Sequence, residues 1–486
     1  MAKAKSKKVT IEDVIIPIEE QPYVIPENWC WTSLSSVAEW GSGGTPSRKN
    51  PDYYEGNIPW IKTGELDDGY IFDSEEKITE DAVAHSSAKL FPTGSVLVAM
   101  YGATIGKTAI LGIPATTNQA CACARCNDSL DNKYLFYYLR SQKYSFIAKG
   151  KGGAQPNISQ DIIKSYPIPL PPLAEQKRIV EQIENLFAKL DEAREKAQEI
   201  LDTFNDRKAA ILYKAFQGNL TKQWRKEYSD ISAIEYLRKI EKSGEDFCKK
   251  EFKFWESNEL PKTWAESKIG NLLYFAGRIG WKGLKADEYT EEGPLLLSVY
   301  NLNDGDEVSY NRVYHITTER YEESPEIMVE IGDVLLTKDG AGIGKLGYVK
   351  ELPQEATINS SLLLIRPGNT AISKYIFYLL SGPELQSIVK ERITGSATPH
   401  LFQRDIKKFT IPIPPLEEQE EIVRILDNVL EKEKIAYESA ENVISQIELM
   451  KKSILAKAFR GELGTNNPEE ESSSELLKII LDKGDC

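Results

Sequence analysis

The sequence predicts an α+β protein in which two β-rich domains are joined by two long helices that form an antiparallel coiled coil. An internal pseudo-two-fold repeat is part of this prediction, because the 50-residue segment 169–218 returns without a gap at 412–461 with 20 identities. Both copies carry apolar residues at heptad spacing. The residues before each copy show the short apolar runs and the frequent Gly, Pro and Asn that are typical of β-rich domains.

Each copy of the repeated segment is predicted to be one long helix. Pro171 and Pro414 stand close to where a helix can begin, and Gly218 and Gly461 stand where it should stop. Only Glu433 interrupts the apolar pattern. The predicted seam consists of Ile179, Ile183, Leu186, Leu190, Ala193, Ala197, Ile200 and Phe204 in the first copy, and of Ile422, Leu426, Val429, Glu433, Ala436, Ala440, Val443 and Ile447 in the second.

Length and composition set further bounds. A chain of 486 residues is long enough for three or four domains with proper cores. It has no run of 18 apolar residues, and its basic first residues lack the apolar region of a signal peptide. Six cysteines without framework spacing suit a reducing cytoplasm, which is the predicted location. The net charge of −14 excludes a basic surface over the whole chain, so any nucleic-acid surface must be local.

The repeat extends beyond the helices. The segment IPENW at 25–29 returns as LPKTW at 260–264, and GGAQPNISQ at 152–160 returns as GSATPHLFQ at 395–403. The loops differ between the copies, which indicates two modules that do one job on different targets. The predicted parts are an N-terminal arm 1–25, a first β-rich domain 26–168, a central long helix 169–218, a helical connector 219–258, a second β-rich domain 259–411, a distal long helix 412–461 and a C-terminal tail 462–486.

Several of these segments resemble one protein family. The duplicated PPLxEQ…KAFxG block, the segments IPWI at 58–61 and GATIGK at 102–107, and GNLTKQWR at 218–225 are similar to the specificity subunit of type I restriction-modification systems. The resemblance covers nearly the whole chain. The acidic net charge and the acidic last segment depart from the expected pattern and make individual DNA contacts harder to assign.

The resemblance implies a function and a set of partners. Each β-rich domain would be a target recognition domain that reads one half of a split, asymmetric sequence in double-stranded DNA. The coiled coil would set the spacing and dock two methyltransferase subunits, which bind S-adenosylmethionine and methylate adenine at N6. Two restriction subunits that use ATP and Mg²⁺ would complete the nuclease. The chain itself would be non-catalytic and would carry no cofactor.

Candidate DNA contacts are the basic and amide side chains of the predicted loops, because phosphate binding uses Lys and Arg, and base reading uses Arg, Lys, Asn and Gln. The candidates are Ser47, Arg48, Lys49, Lys62, Tyr101, Lys107, Lys149, Lys151, Gln155 and Asn157 in the first domain, and Arg278, Lys282, Lys285, Asn301, Asn303, Lys338, Lys345, His400, Gln403 and Arg404 in the second. The alternative for any single one of them is an ordinary solvated surface charge, so the two sets are stronger predictions than their individual members.

Several short segments resemble catalytic or metal-binding motifs, but simpler explanations fit them better. GATIGKT at 102–108 has one residue too few for a phosphate-binding loop, and NPDY at 50–53 differs from the NPPY motif of adenine methyltransferases. Pro51–Asp52 with Glu75–Glu76–Lys77 matches a short nuclease pattern that is common by chance. Cys121, Cys123 and Cys126 suit a buried strand better than a zinc site, so no metal is predicted.

The sequence alone leaves two alternatives to a specificity subunit. One is a single-chain methyltransferase or nuclease with a recognition module, although the sequence has no convincing cofactor loop. The other is a coiled-coil adaptor whose β-rich domains bind proteins.

Overall fold

The structure, a computed structural model, describes residues 10–150, 157–228, 230–243, 253–257, 259–278, 284, 288–303, 305–340, 342–394 and 400–483. The chain divides into two compact units. Unit 1 comprises residues 1–198 and 441–486, and unit 2 comprises residues 199–440. Within the described ranges, no helix is both long enough and apolar enough to cross a membrane.

The strands, in chain order, are β1 Cys30–Ser33, β2 Ala38–Ser42, β3 Ile58–Ile61, β4 Gly69–Ile71, β5 Lys77–Ile78, β6 Val96–Ala99, β7 Thr108–Leu111, β8 Thr116–Thr117, β9 Cys121–Cys126, β10 Pro167–Leu170, β11 Phe254–Trp255, β12 Ala265–Lys268, β13 Tyr274–Ala276, β14 Thr290–Leu297, β15 Tyr314–His315, β16 Val334–Thr337, β17 Leu346–Tyr348, β18 Ala356–Ile358, β19 Leu362–Arg366 and β20 Thr410–Ile413.

The α-helices are α1 Ile11–Val14, α2 Leu34–Val37, α3 Glu80–Ala84, α4 Asn132–Ser141, α5 Lys143–Lys149, α6 Gln160–Lys164, α7 Leu173–Asp202, α8 Phe204–Phe216, α9 Trp224–Glu227, α10 Ala233–Ser243, α11 Ile269–Leu272, α12 Thr318–Glu322, α13 Ser373–Ser381, α14 Pro383–Thr394, α15 Gln403–Ile406, α16 Leu416–Ala458 and α17 Ser473–Lys483.

Unit 1 is built on a five-stranded sheet in the order β2-β9-β6-β7-β4. Strand β1 pairs antiparallel with β10, and β3 lies between β5 and the parallel strand β8. Helix α4 covers the main sheet with a fully buried face that includes Tyr134 and Leu135. The hydroxyl of Tyr134 donates to the carbonyl of Pro169 at 2.7 Å, so the helix is tied to the strand that leads into α7.

Unit 2 repeats this arrangement. Its main sheet has the order β13-β19-β16-β17, β12 pairs antiparallel with β20, and β14 pairs parallel with β18. Helix α13 occupies the place of α4, and the hydroxyl of Tyr375 donates to the carbonyl of Pro412 at 2.9 Å. Most strand pairings and the tyrosine bond therefore occur in both copies, although β4 of unit 1 and β11 of unit 2 extend their sheets by one strand without a counterpart in the other unit.

The first long segment is two helices rather than the single predicted helix. Helix α7 ends at Asp202 and α8 begins at Phe204, whereas α16 runs without interruption. At the interruption the carbonyl of Glu199 accepts from the hydroxyl of Thr203 at 2.6 Å as well as from its backbone N–H at 3.1 Å, and such back-bonding by threonine is typical of bent helices. Both predicted helix stops are confirmed, because Gly218 has φ +71° and Gly461 has φ +75°.

The helices pair antiparallel in each unit. In unit 1 the Nη1 atom of Arg194 lies 3.3 Å from a carboxylate oxygen of Glu448, and in unit 2 the rings of Phe204 and Tyr437 lie 4.9 Å apart. Glu433, the polar position in the seam, accepts a hydrogen bond of 2.8 Å from Nε of Arg207. The seam position that lacks an apolar side chain is therefore occupied by a charge-assisted pair.

Most predicted seam residues are buried or half-buried, but two are not. Ile200 is 36% exposed and Val443 is 41% exposed, so neither is buried as a seam position was expected to be. Two paired helices cover each other from one side only, and a heptad position on a straight helix drifts by about 20° per heptad. Ile200 also lies one turn before the interruption at Thr203.

The predicted arm and tail are packed parts of unit 1 where the structure describes them. The backbone N–H of Ile16 donates to the carbonyl of Trp31 at 2.9 Å, and that of Ser473 donates to the carbonyl of Asn28 at 3.1 Å. Leu477 of α17 is 1% exposed. In unit 2, helix α10 makes a matching contact, because the N–H of Ala233 donates to the carbonyl of Thr263 at 2.9 Å.

Candidate nucleic-acid interface

The PPLxEQ motif anchors the first β-rich domain to the start of α7. The carboxylate of Glu175 is fully buried and accepts a hydrogen bond of 2.8 Å from Nε1 of Trp29. Burial raises the pKa of this carboxyl. The neighbouring Gln176 accepts from the backbone N–H of Asp131 at 2.8 Å and donates to the carbonyl of Ser129 at 2.8 Å. The motif is therefore a structural anchor rather than a binding site.

The same anchor occurs in unit 2. The carboxylate of Glu418 accepts a hydrogen bond of 2.8 Å from Nε1 of Trp264. Gln419 accepts from the backbone N–H of Ile372 at 2.8 Å and donates to the carbonyl of Pro414 at 2.9 Å. Each β-rich domain is thus held by buried hydrogen bonds on the helix that follows it, and this fixes how its loops are presented.

The glycine-rich segments form hairpins. In unit 1 the turn Gly102–Thr104 and the left-handed Gly106 (φ +77°) join the antiparallel strands β6 and β7. In unit 2, Gly340 and Gly344 have φ +84° and +86° before β17. A phosphate-binding loop leads from a strand into a helix, so the hairpin interpretation of GATIGKT is supported.

Each hairpin contacts the end of the glycine-rich loop that follows. Tyr101 forms an antiparallel bridge with Asn157, and Asp339 forms the matching bridge with His400. Tyr101 is 44% exposed, and Asn157 is also exposed. The structure therefore brings Tyr101 and Asn157 together beside the hairpin of Lys107. In unit 2 it brings Lys338 and His400 beside the hairpin of Lys345, because the N–H of Leu401 donates to the carbonyl of Lys338 at 2.9 Å.

Several candidates in unit 2 have protein partners. The Nζ atom of Lys345 donates to Asn303 at 2.5 Å, and Nδ1 of His400 contacts the carboxylate of Asp339. Gln403 donates to the carbonyl of Phe275 at 2.9 Å. Arg404 has an exposed side chain whose guanidinium lies 4.7 Å from the ring centroid of Phe402.

In unit 1, Arg48 and Lys62 share acidic partners. Arg48 pairs with Glu76 at 2.7 Å, and Lys62 pairs with Glu75 at 2.9 Å and with Glu76 at 3.2 Å. The hydrogen bond from Arg48 holds the pKa of Glu76 below its usual range. Ser47 and Lys49 are exposed on either side of Arg48.

Lys149, at the end of α5, lies elsewhere in unit 1. Its Nζ atom is 4.8 Å from the ring centroid of Tyr166, and its side chain is exposed. It directly precedes the glycine-rich loop of the first domain, which makes it a cation at the loop's base.

Two predicted contacts are not surface residues. Arg278 is 3% exposed, and its Nε donates to the carbonyl of Ile358 at 3.0 Å. Asn301 is 1% exposed and accepts from the N–H of Ser298 at 2.7 Å, so it caps the turn after β14. Their prediction as DNA contacts rested on loop position alone and is not supported, because neither side chain reaches the surface. Lys151, Gln155, Lys282 and Lys285 lie outside the described residues.

Sequence reasoning missed the acidic partners of the candidate cations. The carboxylate of Glu65 accepts hydrogen bonds from the backbone N–H of Lys62 at 2.8 Å and from the backbone N–H of Glu75 at 2.9 Å. The carboxylates of Glu65 and Glu75 therefore both lie beside Lys62. The doublet Glu75–Glu76 was available in the sequence as a weak nuclease pattern. That Glu75 and Glu76 form ion pairs with Arg48 and Lys62 follows only from the interatomic distances in the structure.

Two of the three cysteines of β9 are core residues, and Cys126 is half-buried. Cys121 and Cys123 are at most 1% exposed, and burial raises the pKa of the Cys121 thiol to about 12. Among the described residues there is no group of three or more His, Cys, Asp or Glu side chains placed to hold a metal ion.

Comparison with known proteins gives full-length matches. The chain is 26% identical over 479 residues to the type I restriction enzyme EcoBI specificity subunit of Escherichia coli, and the match covers 94% of this chain and 92% of that protein. It is 25% identical to the MjaVIII specificity subunit of Methanocaldococcus jannaschii, with coverage of 91% and 95%.

Solved structures share the fold. A chain from a study of complex assembly and conformational transition in a type I restriction-modification system matches with a TM-score of 0.64 at 21% identity, over 91% of this chain and 100% of that chain. The HsdS subunit of Thermoanaerobacter tengcongensis matches with a TM-score of 0.61 at 21% identity, over 92% and 100%. The family model described as type I restriction modification DNA specificity domain matches residues 26–201 and 261–448, and the chain therefore belongs to that family.

Proposed function

We propose that this chain is the DNA-specificity subunit of a type I restriction-modification complex and that each β-rich domain reads one half of a bipartite, asymmetric DNA target. The duplication carries the proposal. Two domains share the pairing of their first and last strands and the Trp–Glu anchor, yet their loop sequences differ. A common frame with different loops suits the recognition of two different half-sites, and relatives named specificity subunits support it.

Affinity for DNA must come from local cations, because the whole chain carries a net charge of −14. Exposed cations in the loops or in the short helices beside them, such as Lys49 and Lys149 in unit 1 and Arg404 in unit 2, suit contacts with phosphates. Contacts with base edges then select the sequence.

Two methyltransferase subunits are the proposed partners of the helical pair. The helices expose large apolar side chains outside their seam: Tyr213 is 52% exposed, Ile435 53%, Leu449 62% and Met450 47%. Apolar side chains exposed on helices that already bury a seam favour contact with another protein. Through this contact the coiled coil docks the methyltransferases and sets the distance between half-sites.

The chemistry belongs to the partners in this proposal. The methyltransferase subunits bind S-adenosylmethionine and methylate adenine at N6, and two restriction subunits use ATP and Mg²⁺. This chain is non-catalytic, carries no cofactor and works in the cytoplasm.

The test is to sequence N6-methyladenine in the genome of cells that express the methyltransferase partner with and without this chain. We expect a bipartite motif that disappears when the chain is deleted. A continuous motif, or methylation that persists without the chain, contradicts the proposal. Methyl transfer by the purified chain alone would instead support a single-chain methyltransferase.

A further inference from the structure

The loop 44–50 of the first domain is anchored on two aromatic side chains. Nε1 of Trp60 donates to the carbonyl of Gly44 at 2.9 Å, and the hydroxyl of Tyr54 donates to the carbonyl of Pro46 at 2.7 Å. Gly44 packs so closely that an added Cβ would lie 2.3 Å from the backbone carbon of Ser87. The backbone that carries the exposed tip of this loop is therefore held in place.

Arg48 lies at that tip, over the same two rings. Its guanidinium carbon is 4.0 Å from the ring centroid of Tyr54 and 5.2 Å from that of Trp60. Its Nη1 lies 2.7 Å from a carboxylate oxygen of Glu76 in an ion pair, while the side chain stays 54% exposed. Within the described part of the chain, Nε and Nη2 have no hydrogen-bond partner. The guanidinium therefore lies over the ring of Tyr54 with Nη1 next to a carboxylate, and Nε and Nη2 carry N–H groups that remain available to a ligand.

We propose that Arg48 reads a guanine in the half-site of the first domain and that Glu76 is its positioning residue. This inference rests on the proposed function. The O6 and N7 atoms of guanine are two acceptors on one edge, and they match two parallel N–H donors of an arginine. Stacking on Tyr54 and pairing with Glu76 reduce the side-chain freedom that Arg48 loses on binding.

The local charge argues for a base contact rather than a phosphate contact. The carboxylates of Glu75 and Glu76 offset the charges of Arg48 and Lys62, and Glu65 adds a third carboxylate beside Lys62. Phosphate binding gains from a surplus of positive charge, which this cluster lacks. Reading a base edge depends on the direction of hydrogen bonds, which this cluster fixes.

Three substitutions separate the roles of charge and position. Arg48→Lys keeps the charge and removes the paired donors. Glu76→Gln removes the charged partner of Arg48. Glu75→Gln removes the same charge from the same cluster, but Glu75 contacts Lys62 and is 72% exposed, so this variant is the matched control.

The experiment sequences methylated adenines in cells that co-express the methyltransferase partner with each variant. We expect the wild-type motif to contain a guanine in the half read by residues 26–168. Arg48→Lys and Glu76→Gln should each reduce the preference for this guanine by about tenfold or more, while the other half of the motif stays unchanged. Glu75→Gln should leave the preference as it is.

Other outcomes overturn the inference. They are a wild-type bipartite motif without guanine in that half, a uniform loss of methylation in a folded Arg48→Lys variant, and equal effects of Glu75→Gln and Glu76→Gln. Thermal unfolding of the purified variants checks the fold. Failure of the proposed function is distinguishable, because the wild-type chain would then give no bipartite motif.

Discussion

Nε1 of Trp29 donates a hydrogen bond of 2.8 Å to the buried carboxylate of Glu175, and so joins the first β-rich domain to the helix that follows it. Asn466 donates to the same carboxylate at 2.9 Å. Trp264 and Glu418 repeat the bond in unit 2. The PPLxEQ motif, which occurs twice in the sequence, thus forms the same hydrogen-bonded joint between a β-rich domain and its helix in both units.

The first prediction concerns the stability of this joint. Glu175→Ala leaves the indole N–H of Trp29 buried without an acceptor, which costs about 1–3 kcal/mol, and also removes one of the acceptors of Asn466. We expect the free energy of unfolding of unit 1, measured in urea, to fall by at least that amount. Glu181→Ala on the exposed face of α7 is the control and should change it by less than about 0.5 kcal/mol. Equal effects of the two changes would show that the joint contributes nothing to the free energy of unfolding.

The second prediction concerns pH. Burial raises the pKa of Glu175 in the folded state above the value of 4.5 that applies to the unfolded chain. Above pH 4.5 the unfolded state releases its proton first, so this group lowers stability as pH rises, until the pH exceeds the folded-state pKa. The stability of the wild type relative to Glu175→Gln should therefore decrease as pH rises above 4.5. A difference that is constant or grows from pH 4.5 to 8 contradicts this sign.

The third prediction concerns the polar position of the seam. Arg207 and Glu433 are 33% and 24% exposed and form a hydrogen bond of 2.8 Å. We expect a coupling energy of about 0.5–1 kcal/mol in a double-mutant cycle of Arg207→Leu and Glu433→Leu. The double variant should be more stable than either single variant, because neither charge is left alone. Additive effects of the two single changes would mean that the side chains do not stabilise each other.

The fourth prediction concerns the helices as a ruler. Arg194 lies opposite Glu448, so one heptad inserted after Ala193 and one after Glu448 lengthen the pair at one level and preserve its register. The gain of about 10 Å corresponds to about 3 base pairs of added spacing. The same base pairs rotate one half-site by about a third of a turn, so weaker binding should accompany the longer spacer.

Methylated-site sequencing of the lengthened protein measures this spacing. Inserts of three or four residues break the register and serve as the control, with a loss of stability as the expected result. Robust methylation with an unchanged gap between half-sites would show that the coiled coil does not set the distance.

The fold class could be predicted from the sequence because the internal repeat revealed the two helical segments and the two β-rich domains. The 20 identities between the two helical segments, together with the terminal glycines, predicted the helices and their ends. The interruption at Thr203 was not predictable, because a single threonine costs a helix too little to end it, and the bond of its hydroxyl to Glu199 is seen only in the structure. Likewise, the sequence shows Glu433 only as a charged residue at an apolar position of the seam, and the structure identifies Arg207 as its partner.

The candidate site was less predictable. Loop position and residue type identified Arg48, but they also selected Arg278 and Asn301, whose side chains are buried. Residue type does not reveal burial when a loop folds back on its own domain. The partner of Arg48 could not be predicted either, because Glu76 is 28 positions away in the sequence.

The central claim is that each β-rich domain reads its own half-site. The most direct measurement replaces residues 26–168 with the corresponding domain of a relative that methylates a different motif, and sequences the methylated adenines made by the chimera and by the parent. We expect one half of the motif to change to that of the relative and the other half to stay the same. A change in both halves, or in neither while methylation persists, would contradict the account.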